Sequence, residues 1–466
     1  MEEAGRQIAL AVQHFFPSPG DCTASVGKGH NAGDALVALR HLAAAGWGTS
    51  VRAAFDESEW SPLTRKKFAE FGETRSRLRN SPPLVVLDGL LGIGAVGPLR
   101  EPVATAAREI NRLRREENAH VFALDLPTGL NGDSGEAELD AITADFTLAI
   151  GFAKRGLVAD SAARHVGRLA VLPLDELAAH DEMRGNFEQV TTAATLEPLF
   201  SRRAFDVHKG DFGRVGIVAG SRGLTGAAVM CADACVRAGA GLVSLYVTED
   251  IYSVVASSAS PEVMVRPVTS YLEVLEKQRD VLALGPGLGE ERRDEVLEFI
   301  ARAKQPLILD ADALNIVATD WNVLERCAGP RLLTPHPGEM ARLAPSTRSL
   351  SRQEIMKAFI GRVPHTLLLK GARTLVGERG RPLSYNTTGS PGMATGGMGD
   401  VLTGVCAALA AQRLSLYDAA RAGAWLCGCA AELAIYHGVD SEESLCATGL
   451  LDWLGRAFKE LRAKSF

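Results

Sequence analysis

The sequence is short of the devices that tie a chain to a membrane, an oxidising compartment or a nucleic acid. It has no run of about 18 or more apolar residues, so no stretch reads as a membrane-spanning helix. Its start, "MEEAGRQIALAVQHFF", is acidic and then amphipathic. A basic n-region and a small-residue cleavage site are both missing, so a secretory signal is not expected and a cytoplasmic setting is. No block of Lys and Arg stands out, the formal net charge is −6 and the pI about 6.0, which argues against nucleic acid as a partner. The eight cysteines (22, 231, 235, 327, 406, 427, 429 and 446) form no CxxC pair, and most lie in apolar runs. Buried, reduced thiols are therefore expected rather than a zinc site or a disulfide framework. Short-period repeats and low-complexity tracts are missing too.

What remains is ordinary globular sequence, 46% hydrophobic and 23% charged over 466 residues, enough for two or three domains. Two α/β segments follow one another. In the first, short apolar runs end in small or acidic residues: "LVVLDG" (84–89), "VFALDLPTG" (121–129), "DFTLAIGF" (145–152) and "GRLAVLPL" (167–174). Helical patterns such as 101–117 lie between them. That alternation predicts a mostly parallel sheet with helices on both faces, a Rossmann-like three-layer domain over 1–185. Ligands in such sheets bind at the carboxyl ends of strands, where Gly27, Asp88 and Asp125 fall. The stretch "SVGKGHNAGDALVAL" (25–39) reads there as strand end, glycine turn and helix start, the shape of a phosphate cradle. Residues 175–206 are polar, without a strand of their own, and read as a linker or docking segment. A second α/β run occupies the rest of 186–466, with strands expected at 214–220, 242–248, 280–287, 306–315, 331–339, 366–378 and 382–389.

The strongest chemical signal is "NTTGSPGMATGGMGDVLTGVCAALAA" (386–411). Its glycines let backbone approach a ligand closely. A helix starting near Gly399 and Asp400 offers unpaired N–H groups and a dipole to an anion. Asp400 is expected to stay ionised there. An ionised carboxylate beside an anion hole can take a hydroxyl proton while a phosphoryl group arrives. An Asp that merely caps a helix after a flexible loop is the plain alternative. "LTPHPGEM" (333–340) adds His336 and Glu339, "LLLKGARTLV" (367–376) adds Lys370 in a turn between strands, "LALGPGLG" (282–289) is another glycine turn, and "LDADALN" (309–315) adds Asp310 and Asp312. All fall at carboxyl ends of one sheet.

In that order these motifs, with "HKGDFGRVGIVAGS" ahead of them, resemble the ADP- or ATP-dependent NAD(P)H-hydrate dehydratases, which are ribokinase-like proteins. The resemblance implies a ribokinase-like α/β domain over 186–466 that phosphorylates the C6 hydroxyl of a hydrated cofactor, NADHX or NADPHX, and expels the phosphate. It makes Asp400 the base. It assigns Lys370, Gly371, Ala372, Arg373, Thr374 and Gly399 to ADP or ATP with Mg2+, and Ala227, Gly287, Gly289, His336 and Asp400 to the hydrate. Met398 stands where relatives often carry Thr.

The first half, through "GKGHNAGDALVALRHLAAAGW", "LDGLLGIGAVGPLREP", "LDLPTGLNGDSGE" and "AITADFTLAIGFAKRGL", resembles the NAD(P)H-hydrate epimerases, which often precede the dehydratase in one chain. The resemblance implies interconversion of the R and S epimers at C6. It places K+ on Asn31, Asp88 and Thr128, reads Asp88 as catalytic as well, and assigns His30, Asn31, Ala32, Gly33, Asp34, the loop Gly92, Ile93, Gly94, Ala95, Val96, Gly97, Pro98, and Asp125 to the hydrate. Departures from the family's GxGNNGGDG fall at Lys28, His30, Ala32 and Ala35, and each Ala is expected to crowd a place where Gly allowed positive φ or close approach. Relatives also carry a further N-terminal helix ahead of the point where this sequence starts. By the same analogy a homo-oligomer acting only on small molecules is expected. Two competing readings are a ribokinase-like kinase of a small hydroxylated metabolite and a first domain that only binds.

Overall fold

The near-continuous apolar runs of the first half become strands buried on both faces, as parallel sheets require. The computed structural model describes all residues except 75, 95–96, 175–187 and 348. It divides into two compact units, 1–185 (grouped with Phe466) and 186–465. In the first unit β1 (Asp21–Val26), β2 (Gly48–Ala53), β3 (Leu84–Gly89), β4 (His120–Leu124), β5 (Phe146–Ile150) and β6 (Arg168–Leu172) form one sheet in the order β2-β1-β3-β4-β5-β6. Every pairing is parallel. Strand order reverses between β1 and β3, so the loops that follow them open side by side into a crevice. Strand β2, half exposed along its length, had no signal in the sequence because its pattern is not that of a buried strand.

Among its described residues the second unit has ten strands. After β7 (Gln189–Thr191) come β8 (Arg214–Val218), β9 (Leu242–Thr248), β10 (Val263–Val268), β11 (Val281–Leu284), β12 (Leu307–Leu309), β13 (Arg331–Leu333), β14 (Thr366–Leu369), β15 (Leu375–Gly377) and β16 (Ser384–Asn386). Their order is β10-β9-β8-β11-β12-β13-β14-β15-β16-β7, and the reversal lies between β8 and β11. Among the described residues of this sheet only β14 with β15 and β15 with β16 pair antiparallel.

The structure corrects the reading of 175–206 as strandless. Gln189–Thr191 pairs with β16, and Thr191 Oγ1 lies 2.7 Å from Ser384 Oγ. Three residues show no periodicity, so only the partner strand reveals them. The expected strands at 306–315 and 331–339 stop early. Asp310 is the N-cap of helix Ala311–Val317, and His336 with Pro337 starts helix Pro337–Leu343. Edge strand β10 was also not foreseen, and it holds Pro267 where an unpaired edge tolerates it.

Helix Met398–Ala411 is buried against helix Thr225–Arg237 through small residues. A Cβ on Gly404 would lie 2.1 Å from the Cys231 carbonyl oxygen. That contact fixes the helix whose amino end faces the strand ends. Among the described residues no helix is long and apolar enough to cross a membrane.

Candidate functional site

Helix Met398–Ala411 starts from Gly397, which holds a left-handed φ of +89° and offers no side-chain cap. The first-turn N–H groups of any helix lack intrahelical acceptors, so this end invites an anion. Asp400 is the third helical residue, three places after the cap Gly397, so the reading of Asp400 as an N-cap falls. Lys370 reaches the same place. A Cβ on Gly399 would lie 3.2 Å from Lys370 Nζ and 3.6 Å from Asp310 Oδ2. Lys370 Nζ donates to Asp310 Oδ1 at 2.8 Å and stands 3.7 Å from Glu339 Oε2. Burial works against its ammonium, but Asp310, Glu339 and Asp400 outweigh burial and raise its pKa.

The expectation that Asp400 stays ionised is corrected. Burial, then the charge of Asp310, with Asp312 and Glu339 adding and Lys370 opposing, pushes its carboxyl up to about 7. The dipole of one helix end is worth too little to offset that desolvation.

The remaining residues of the second half converge. Gly287 (φ +58°) passes so close to Ala227 that a Cβ on it would come 3.0 Å from the Ala227 Cβ. Gly289 N donates to Asp312 Oδ2 at 2.8 Å. His336 closes a capping box, its Nδ1 accepting from Gly338 N at 3.0 Å and Glu339 N at 3.3 Å, and half of its side chain stays exposed. The Lys370–Thr374 turn is clamped by a residue the sequence did not mark. Arg352 donates to the carbonyl of Leu369 (2.9 Å), just before the turn, and to that of Arg373 (2.8 Å), near its end. Gly371 and Ala372 are exposed, Arg373 is buried, and Thr374 Oγ1 donates to the Gly371 carbonyl at 3.1 Å. Thr334, Arg352 and Thr403 were missed as site residues, and Asp310 was marked but given no role. Only Asp310 had a signal, its place at a strand end.

In the first unit the same logic gathers a second site at the β1/β3 crevice. Asp88, fully buried at the end of β3, accepts from Thr128 N and Thr128 Oγ1 at 2.8 Å and from Leu90 N at 3.3 Å. Burial pushes its carboxyl up to about 6 against these hydrogen bonds. Asn31 Nδ2 donates to the carbonyls of Leu91 (2.8 Å) and Leu124 (3.1 Å), which ties the helix start His30–Ala44 to the loop after β3 and the end of β4. Asp34 is pushed up to about 7, chiefly by burial, with Asp125 adding and the α-amino group of Met1, 3.8 Å away, opposing. Asp125 carries a left-handed φ of +70°, pairs with Lys154 and accepts from Ile150 N. Lys154, in "GFAKRGL", was not singled out in the sequence. Beside this lies a small cleft of about 30 Å³ lined in part by Gly92, Gly97, Thr128 and Glu138. Of the expected hydrate-binding residues, His30, Ile93, Gly94, Gly97 and Pro98 are exposed and Gly92 is half-buried, while Ala95 and Val96 lie outside the described residues.

The positive φ that would have strained Ala32 and Ala35 is absent. Both lie inside helix His30–Ala44 with φ negative. Gly89 makes the room: a Cβ on it would come 2.9 Å from the Ala35 Cβ. Gly33 is the tight position, where a Cβ would meet Met1 Cε at 2.5 Å. Lys28 faces outward, 4.7 Å from the Phe55 ring centre and 3.7 Å from Glu59.

Residues 215–446 match the family model described as NAD(P)H-hydrate dehydratase, and residues 1–156 match that of the YjeF-related protein N-terminus. The chain is 35% identical to a bifunctional NAD(P)H-hydrate repair enzyme Nnr of Moorella thermoacetica, over 99% of this chain and 92% of that protein. The crystal structure of an ADP/ATP-dependent NAD(P)H-hydrate dehydratase from Bacillus subtilis, co-crystallised with ATP and Mg2+, superposes with a TM-score of 0.51 at 27% identity, covering 59% of this chain and 99% of that one. A ribokinase-like superfamily protein from Enterococcus faecalis gives a TM-score of 0.50 at 27% identity, over 58% of this chain and 96% of that one.

Proposed function

From the premise that this chain belongs to the bifunctional NAD(P)H-hydrate repair enzymes, an epimerase joined to a nucleotide-dependent dehydratase, we propose that Asp400 is the base of dehydration and Asp88 the centre of epimerisation. The observation that carries the first assignment is a mostly buried carboxylate, held near a pKa of 7, in the first turn of an uncapped helix beside Lys370. Such a group accepts a proton at neutral pH, and the helix end receives the charge that develops opposite. Asp400 takes the C6 hydroxyl proton as that oxygen bonds to the terminal phosphorus of the nucleotide and the bond to the nucleotide breaks. The C6–O bond then breaks, phosphate leaves with the electron pair, and a proton leaves the neighbouring ring carbon to restore the double bond. Phosphate is a far better leaving group than hydroxide, which is why a kinase-like site suits a dehydration.

Lys370 and the N–H groups from Gly397 to Asp400 hold the phosphoryl group in this reading, and the turn Lys370–Thr374 holds the nucleotide. Ala227, Gly287, Gly289 and His336 face the hydrate. Among the described residues no cluster of three or more His, Cys, Asp or Glu could hold a metal ion by itself. That fits Mg2+ arriving on the nucleotide phosphates with its own waters. In the first unit the donors of Asn31, Asp88 and Thr128 suit K+. Asp88 is a fully buried carboxylate that accepts from the neutral donors of Thr128 and Leu90, so a hard monovalent cation would balance its charge. A cytoplasmic setting fits eight cysteines that form no disulfide. Self-assembly into a symmetric oligomer is proposed by analogy, and light scattering on the purified chain tests it.

The deciding assay mixes the full chain with S-hydrate and ADP or ATP and follows cofactor recovery with phosphate release. One phosphate per cofactor restored supports the reading. A stable phosphorylated product without recovery favours a small-molecule kinase instead.

A further inference from the structure

The dehydration chemistry leaves one fully buried carboxylate of the second unit unused. Asp310 follows β12 and is 1% exposed. Its Oδ1 accepts from Lys370 Nζ and from Thr334 Oγ1, each at 2.8 Å, and its Oδ2 accepts from Thr403 Oγ1 at 2.8 Å. The donors come from three separate elements: the turn after β13, the end of β14, and helix Met398–Ala411 one turn beyond Asp400. Thr334 and Thr403 are fully buried, so neither hydroxyl could find water if Asp310 were replaced by an apolar residue.

A purely structural tie is the plain explanation, and it is weak. A buried ion pair contributes little net stability over apolar packing. Asp310, Glu339 and Asp400 share one lysine, with Asp312 adding to the repulsion on Asp400, and that repulsion is a cost a tie alone has no reason to carry. The geometry aims at the reacting atoms instead, because the lysine held by Asp310 stands over Gly399, at the helix end where the phosphoryl group is placed.

Resting on the dehydration reading, we propose that Asp310 is a positioning residue of that site: it sets the Lys370 ammonium over Gly399 and anchors, through Thr403, the turn that carries Asp400. Its negative charge also helps keep the Asp400 carboxyl protonatable near neutrality. The other groups that act on Asp400 are Asp312 on helix Ala311–Val317, Glu339 on helix Pro337–Leu343 and Lys370 after β14, with the Cys231 thiol on helix Thr225–Arg237 close enough to be influenced by it.

The test uses the full chain and reads kcat and KM against pH. It adds a carbon-13 titration of the Asp400 carboxyl, which needs no turnover. Asp310→Asn keeps the size of the side chain but removes its charge. The expected result is a kcat lower by at least ~10-fold, as misplacement of a reacting group produces, with the acid limb and the Asp400 titration both moved to lower pH. Lys370→Met removes the opposing cation and is expected to move both to higher pH. Thr403→Val cuts only the anchor, so kcat falls with the limb unmoved. A folded Asp310→Asn whose limb and titration stay at the wild-type pH overturns the proposal. So does a defect cured by raised Mg2+, which would make Asp310 a metal ligand. If Asp310→Asn does not fold, Lys370→Met and Thr403→Val decide: no upward shift in the first, or unchanged kcat in the second, overturns it. A wild-type chain that never restores the cofactor sinks the dehydration reading instead, while the titrations still report on Asp310.

Discussion

At the scale of single residues, environment decides more than identity. Asp400 and Asp88 are both aspartates at positions a motif marks, yet burial moves their carboxyls to about 7 and about 6. Removing the base by Asp400→Asn is expected to lower dehydration by ~10² to 10⁴, read as cofactor recovery. In the wild type, dehydration is expected to fall as pH drops through about 7, because only the ionised form accepts a proton. The same shift bears on stability with the opposite sense. Between the ordinary aspartate value of 3.8 and about 7 the folded state binds a proton that the unfolded state has lost. Stability therefore falls as pH rises through that window. Asp400→Asn should melt a few degrees above the wild type at pH 8 and no higher at pH 3.5, checked by calorimetry. Equal melting points at pH 8 would show that the carboxyl is not held up by burial.

At the scale of elements, a helix and a turn place the chemistry. Helix Met398–Ala411 sits where Gly404 lets it, against the Cys231 carbonyl. Gly404→Ala adds one methyl group with backbone in its way, and overpacking of this kind costs about 1–3 kcal/mol. The expected outcome is a lower melting point together with loss of dehydration, since Asp400 and Thr403 ride on that helix. The sequence displayed this helix plainly, through "GGMGDVLTGVCAALAA", but not its close partner. It likewise displayed the Lys370–Thr374 turn but not Arg352, which clamps it from 17 residues upstream of Leu369. Strand β7 was invisible because a three-residue edge strand is defined by its neighbour.

At the scale of the whole molecule, two sheets each reverse strand order once, and each reversal gathers its own acid. The two activities should then separate within the intact chain. Asp88→Ala is expected to abolish epimerisation and leave dehydration of the S-hydrate at its wild-type rate. Asp400→Asn is expected to do the reverse. Given a mixture of epimers, the Asp88→Ala chain should consume the S fraction and stall on the R fraction, as chiral chromatography would resolve. Loss of both activities in either variant would show that the units do not act independently.

The sequence by itself determined the two α/β halves, the loops at their strand ends and the residue types that carry the chemistry. Those depend on local pattern, turn-forming glycines and motif order, which a linear chain displays. Tertiary structure decided what is non-local. It buried Asp400 among Asp310, Asp312 and Glu339 and so set its proton affinity. It joined Lys370, Thr334 and Thr403 on one carboxylate across 24 to 93 residues of chain. It also absorbed Ala35 in the place Gly89 left open. Desolvation, charge proximity and steric room are properties of what surrounds a residue, and the chain states its neighbours in space only once it has folded.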